Sequence, residues 1–314
     1  DSLNLALHGL LRQGDHVVTT VVEHNSILRP LRALEQQGIV TVDRVACDAR
    51  GIVDPQRIRE AAKPGTRLIA MLHASNVTGA VQPVAEAAAI ARETGALFLL
   101  DAAQTAGHMP LNVAELPVDL LAASGHKGLL GPLGVGILYV RPGVEESLAS
   151  VRQGGTGSES ENDSQPDALP DKYESGNLNV PGILGLGAGV EWLLQQGVET
   201  IHARGQQLID RLITDLRGIS GATLYGPQDA AAQIGVVSLN ITNYDPREAA
   251  TLLDAACRIQ ARAGLHCAPL MHQALGTLDQ GGTIRFSVGA MNTESDVVAA
   301  ANAVREIARS AAMT

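Results

Sequence analysis

The stretch LLAASGHKGLLGPLGVG, from Leu120 to Gly136, decides how the chain is read. It opens with an apolar run that reads as a buried strand. It then passes through Ser124, Gly125 and His126 to Lys127, just before a glycine-rich turn. Lysine is scarce here: of 23 Lys and Arg residues, only Lys63, Lys127 and Lys172 are lysines. Upstream, Ala96 to Leu100 forms a second apolar strand, ending in Asp101 with Gln104 close behind. An acid at one strand end and an amine in the loop after a later strand would share one crevice.

Outward from this stretch, the first half alternates short apolar strands with helical patterns. Strands are expected at 16–22, 39–46, 67–73, 96–100, 118–122 and 135–140, with helices at 26–37, 55–62 and 83–94. Crossover helices between short apolar strands imply a mostly parallel sheet covered on both faces. Ligands of such sheets collect at the carboxyl ends of the strands. His24, Asn76, Asp101, Gln104 and Lys127 all fall just after a strand or at its end. Pyridoxal phosphate chemistry needs a carboxylate for its pyridinium nitrogen and an amine for its Schiff base, and Asp101 and Lys127 are suited to those parts.

Residues 152–180 are polar, rich in Gly, Ser and acids, and carry no apolar period, so they form a long loop of the kind that is usually functional. Helices at 181–196 and 199–217 follow. A smaller α/β unit then has strands at 234–241, 258–262 and 283–288, a helix at 246–256, a short helix after Cys267 and a last helix from Thr293 to Ala311. Thr293 with Asp296 is its capping signal. The expected division is a large domain at 1–197 and a smaller α/β domain at 198–314.

A net charge of -10 argues against a nucleic-acid partner. No uninterrupted apolar window is long enough for a membrane helix. Three cysteines, Cys47, Cys257 and Cys267, make no disulfide lattice and favour a reducing, cytoplasmic setting. No metal-ligand spacing occurs. The chain opens at Asp1 directly into a helix, SLNLALHGLL, with Asp1 or Ser2 as its cap, as if in mid-domain.

Seven stretches together resemble the fold-type I, class V aminotransferase-like enzymes, and among them the cysteine desulfurases and selenocysteine lyases. They are VVEHNS (21–26), LHASNVTG (72–79), FLLDAAQTAGH (98–108), ASGHKGLLGPLGVGILYV (123–140), YESGNLNVPGI (173–183), ARAGLHCAP (261–269) and IRFSVGAMNTESDV (284–297). The resemblance implies a sheet of seven-stranded type and a pyridoxal 5′-phosphate enzyme acting on L-cysteine or L-selenocysteine. It makes Lys127 the Schiff-base lysine and α-proton carrier, and Asp101 the partner of the ring nitrogen. Gln104 and Asn76 go to the phenolic oxygen, and His24 to the ring face with a possible proton relay. Ser124 and His126 are phosphate donors. Arg285 is the carboxylate fork, with Arg262 beside it. Cys267 is the sulfur acceptor, its thiolate favoured by Arg262, His266 and Arg285. Cys257, at helical spacing with Leu252 and Leu253, reads as core.

The same resemblance implies a homodimer with the 152–180 loop crossing its interface, and a sulfur-acceptor protein of unspecified kind. Two features depart from it. The Gly-Thr-Thr phosphate turn would precede Ser2 and lies outside the sequence, so weak cofactor retention is expected. Where the family carries E-x-G-T-x-N, this chain has Glu174 to Asn179 with Asn177 in place of the threonine. Cysteine desulfurase, selenocysteine lyase and a non-catalytic scaffold of the same fold all remain open at this point.

Overall fold

The computed structural model describes residues 1–311. Helix α1 (Ser2–Leu10) is followed by β1 (Asp15–Thr20), α2 (Asn25–Gln36), β2 (Val40–Val45), α3 (Pro55–Ala61), β3 (Thr66–Leu72), α4 (Val84–Thr94), β4 (Leu97–Asp101), β5 (Leu120–Ser124) and β6 (Gly136–Val140). These strands form a six-stranded sheet in the order β2-β1-β3-β4-β5-β6. The first five are parallel and β6 returns antiparallel to β5, giving one strand fewer than the seven expected among the described residues.

Both faces of the sheet are buried, which is why its strands are continuously apolar. Neighbouring residues go to opposite faces: Val17, Leu68, Leu99 and Leu120 pack against α1 and α2, while Val18, Ile69, Phe98, Leu100 and Leu121 pack toward α3 and α4. After β1 the order runs to β2 on one side and β3 on the other. This topological switch opens a crevice at the strands' carboxyl ends.

Residues 152–179 contain no helix or strand, as expected of the polar loop. Lys172 Nζ and Tyr173 OH tie its far end to the carbonyls of Glu145 and Leu148. Asn179 caps α5 (Val180–Gln196) by accepting from Gly182 N–H, and α6 (Val198–Arg217) follows directly. Then come β7 (Ala222–Tyr225), β8 (Val236–Ile241), α7 (Pro246–Cys257), β9 (Arg262–Gly264), α8 (Pro269–Ala274), β10 (Thr283–Ser287) and α9 (Glu294–Ala311). The second sheet, β7-β8-β10-β9, is antiparallel throughout. Leu208, Leu212 and Leu216 of α6 pack under it with Val304 and Ile307 of α9, forming a core of their own. Thr293 N–H donates to Asp296 Oδ2 at 2.8 Å, closing the anticipated cap of α9.

Two expectations shift. The strand read at 258–262 is β9, at Arg262–Gly264. Arg258 ends α7 in the left-handed region (φ 57) and Ile259 N–H closes back onto Leu253 O at 2.9 Å, so a helix-terminating turn occupies the residues read as strand. Strand β7, four residues at the sheet edge, was too short to show a period. Asp1 takes the cap position of α1, but its carboxylate pairs with Arg152 instead of the helix amides.

Candidate active site

The crevice is built from five loops. His24 follows β1, Asn76 follows β3, Asp101 ends β4 with Gln104 on the next turn, and Lys127 follows β5. The fifth loop, from β9 to α8, brings Cys267 from the second sheet.

Lys127 is placed by close backbone approach. A Cβ on Gly107 (φ +82) would stand 2.1 Å from Gly128 O, and one on Gly128 would stand 2.3 Å from Ala106 O. Only glycine at both positions lets the Lys127 loop lie against the turn that follows Asp101. Lys127 is half-buried and has no carboxylate within ion-pair distance among the described residues. Burial pushes its ammonium down from the ordinary lysine value. The guanidiniums of Arg285 and Arg262 add to this, while Asp101 and Cys267 oppose it.

Asp101 is 6% exposed and accepts from Ala103 N–H at 2.9 Å. Burial raises its carboxyl, and the Ala103 amide and the Lys127 charge pull it back down. The amine and the acid therefore feel each other directly.

His24 caps α2 with its own ring: Nδ1 accepts from Ser26 N–H at 3.1 Å and lies 2.7 Å from Ser26 Oγ. Burial, then the charges of Lys127, Arg262, Arg29 and Arg285, lower its pKa to about 4. The neutral ring thus carries its hydrogen on Nε2, with Nδ1 already engaged.

Cys267 sits on a turn from Leu265 to Ala268, closed by Ala268 N–H on Leu265 O at 2.9 Å. Both central residues are left-handed, His266 at φ 48 and Cys267 at φ 60. Left-handed backbone costs a non-glycine residue about 1–2 kcal/mol. The thiol lies 3.7 Å from Arg262 Nη2. Arg285, on β10, donates from Nη1 to Asn76 O at 2.8 Å, while its Nε is buried without a partner.

His266 corrects one expectation. Anticipated as a cation beside Cys267, it is 2% exposed, and burial, aided by Arg285, His272 and Arg262, lowers its pKa to about 3. It is neutral, and its Nε2 faces Thr283 O at 3.0 Å. Arg262 and Arg285 are the cations left to the thiol.

Asn76, 4% exposed, turns its Nδ2 toward the carbonyl of His266 at 2.6 Å and leaves Oδ1 without a partner. Gln104 is half-buried on the turn after Asp101, with no hydrogen bond among the described residues. Ser124 ends β5 and pairs in register with Gly136. A Cβ on Gly136 would lie 3.8 Å from Ser2 Oγ, so the start of α1, with its free amides, adjoins Ser124. His126 and Asn177 are exposed.

Glu23 was not singled out in the sequence. It is fully buried, accepts from Leu72 N–H at 2.9 Å and lies 2.6 Å from Thr20 Oγ1, tying the end of β1 to β3 beneath the crevice. Burial raises its carboxyl well above the usual range, and the charge of Asp101 adds to this. An acid inside the apolar run VVEHNS was the available signal.

The crevice suits pyridoxal 5′-phosphate. It offers a half-buried lysine without a counter-ion and a buried acid coupled to that lysine. It also holds two orphaned polar atoms, Asn76 Oδ1 and Arg285 Nε.

The family model for class-V aminotransferases matches residues 1–299, and the chain belongs to that family. Within it, the similarity is to cysteine desulfurases. The chain is 38% identical to the "Probable cysteine desulfurase" of Methanothermobacter thermautotrophicus, over 98% of this chain and 77% of that protein. It is 34% identical to the "Cysteine desulfurase" of Escherichia coli O157:H7, over 83% of this chain and 64% of that protein. The apo structure of the cysteine desulfurase of Thermococcus onnurineus NA1 superposes with a TM-score of 0.91 at 33% identity, covering 98% of this chain and 77% of that one. The cysteine desulfurase CsdA of Escherichia coli, in its S-sulfonic acid form, gives 0.88 at 30% identity, covering 98% and 76%.

Proposed function

We propose that this protein is a cysteine desulfurase that converts L-cysteine to L-alanine and retains the sulfur as a persulfide on Cys267. The observation that carries this reading is that thiol and amine share one crevice. Cys267 lies 3.7 Å from Arg262 Nη2 and its carbonyl accepts from Asn25 N–H at 2.7 Å, beside His24, while the charges of Arg262 and Arg285 both bear on Lys127.

Pyridoxal 5′-phosphate would be held by Lys127 at its aldehyde carbon, Asp101 at the ring nitrogen and Gln104 and Asn76 at the phenolic oxygen. His24 would lie along the ring, with Ser124, His126 and the first amides of α1 at the phosphate. Bound there, the cofactor draws electron density from the substrate's α-carbon. Arg285 binds the substrate carboxylate, its unpartnered Nε supplying part of the fork. Lys127, its ammonium destabilised by burial, takes and returns protons at Nζ. Cys267, with Arg262 Nη2 3.7 Å from its sulfur, attacks the substrate Sγ as the thiolate. An S–S bond forms as the C–S bond breaks. The C–S pair stays on the substrate carbon, which takes up a proton, and the enzyme thiol ends as a persulfide.

A homodimer fits the surface. Helix α5 leaves Val180, Ile183, Leu184 and Leu194 exposed, the two leucines at 70% each, and Leu133 is 77% exposed. Light scattering of the cofactor-loaded protein gives a dimer on this reading and a monomer against it. No described helix is long and apolar enough to cross a membrane, and the three free cysteines suit a reducing cytoplasm. We divide the chain at Gly197, between α5 and α6.

The test is the visible absorbance of the cofactor-loaded protein before and after L-cysteine, with alanine and sulfide assayed. A spectral change with no alanine formed would defeat the proposal. Parallel rates with L-selenocysteine decide which chalcogen is preferred.

A further inference from the structure

We propose that Asn76 is a positioning residue for the sulfur-accepting thiol, its side-chain amide holding the His266–Cys267 turn in its left-handed conformation. The inference rests on Cys267 being the acceptor, as proposed above.

Two adjacent non-glycine residues at φ 48 and φ 60 form a turn whose own chemistry opposes it, since each Cβ crowds the neighbouring backbone. Glycine or asparagine usually occupies such centres; here they are His and Cys, so the conformation must be imposed from outside. The single turn bond, Ala268 N–H to Leu265 O at 2.9 Å, is common to turns of several types and does not select this one.

What does select it is the direction of the two central carbonyls. The His266 carbonyl accepts from Asn76 Nδ2 at 2.6 Å, across 190 residues of sequence. The Cys267 carbonyl accepts from Asn25 N–H at 2.7 Å. Asn76 lies in the loop after β3 and Asn25 opens α2. Flipping the turn to an ordinary right-handed form would swing these carbonyls away and strand both donors, that of Asn76 in a buried position. On the far side, the His266 ring is fixed at Thr283, with Nε2 3.0 Å from its carbonyl.

Asn76 is itself immobile. It is 4% exposed, its carbonyl accepts from Arg285 Nη1 at 2.8 Å, and Ser75 Oγ accepts from the amides of Val77 and Thr78 just beyond it. Its amide has one permitted orientation, because an oxygen facing the His266 carbonyl would repel it. One residue therefore touches both the carboxylate reader, Arg285, and the turn that carries the nucleophile.

The variant that isolates this role is Asn76→Asp, which keeps the shape and replaces the donor with an acceptor. In cofactor-free protein at pH 8, hydrogen exchange of the peptide covering residues 262–275 should quicken by about tenfold, the effect of one lost buried hydrogen bond. Exchange at Val17 and Val18 in β1 should not change. In loaded protein, where Asn76 would also face the phenolic oxygen, persulfide formation on Cys267 should slow by about tenfold or more. Unchanged exchange at 262–275 overturns the proposal, whatever happens to the absorbance, and leaves Asn76 a cofactor ligand alone. If Asn76→Asp does not fold, Asn76→Ser, which is too short to reach His266, is read by the same exchange measurement. Absence of persulfide in the unaltered protein would sink the desulfurase reading, and exchange would still decide the role of Asn76.

Discussion

The lysine side and the thiol side of the crevice are built on different principles. Lys127 is set by absence of side chains: Gly107 and Gly128 let two loops of one parallel sheet touch backbone to backbone. Cys267 is set by restraint, on a strained turn held across the two sheets by Asn76, Asn25 and Thr283. The first arrangement rests on glycine at both points of backbone contact, although Leu130, on the same turn, is itself left-handed (φ 58). The second depends on hydrogen bonds that reach one turn from both sheets, so small changes there should be felt at the thiol before they are felt at the lysine.

The sharpest separation comes from Lys127→Ala. Loss of the amine should lower alanine production by about 10⁴-fold, while hydrogen exchange of the peptide covering residues 262–275 in the cofactor-free protein stays unchanged. Faster exchange there would mean the two sides are not structurally independent. Gly107→Ala challenges the lysine side structurally. A methyl group 2.1 Å from Gly128 O, at φ +82, should cost about 3 kcal/mol in denaturant unfolding, and an unchanged midpoint would show that the loops can part freely.

Arg285→Lys probes the point where the sides meet. Losing the planar fork should raise KM for L-cysteine by about 10- to 100-fold with the cofactor absorbance intact, and an unaffected KM would remove Arg285 from the substrate.

Acid sensitivity spans both sides. His73 and His272 have pKa values lowered to about 4 by burial, and His266 to about 3. Unfolding returns each ring to an ordinary value near 6.5, so the unfolded chain binds more protons between those limits. Stability contributed by the neutral rings is therefore full above that range and falls as pH drops from about 6.5 toward 4, by up to about 1.4 kcal/mol per pH unit for each ring. Thermal melts across this range should show the decline, and His73→Asn should lessen it. An equal slope in that variant contradicts the assignment.

The two sides also differed in how openly the sequence displayed them. Strand-end placement of His24, Asn76, Asp101 and Lys127 could be read because apolar runs flanked by turns mark parallel strands, and the observed ends fall close to those expected. The Cys267 loop was recognisable only through its resemblance to a family. Its conformation was not legible, since no local pattern announces two consecutive left-handed residues when neither is glycine or asparagine. The neutrality of His266 was equally hidden, because it follows from burial and from the Arg285 charge brought up on another strand, which only the fold supplies. Glu23 escaped notice for the same reason: its partners, Thr20 and Leu72, come together only when β1 and β3 pair.

Transfer of sulfur to Cys267 is the claim on which the rest depends, and mass spectrometry of the peptide containing it is the most direct test. After one equivalent of L-cysteine, the cofactor-loaded protein should carry one additional sulfur atom on Cys267, matched by one alanine released. In Cys267→Ser the cofactor absorbance should persist with no sulfur gained. Alanine released at the normal rate by that variant, or additional sulfur on Cys47 or Cys257 instead, would contradict it.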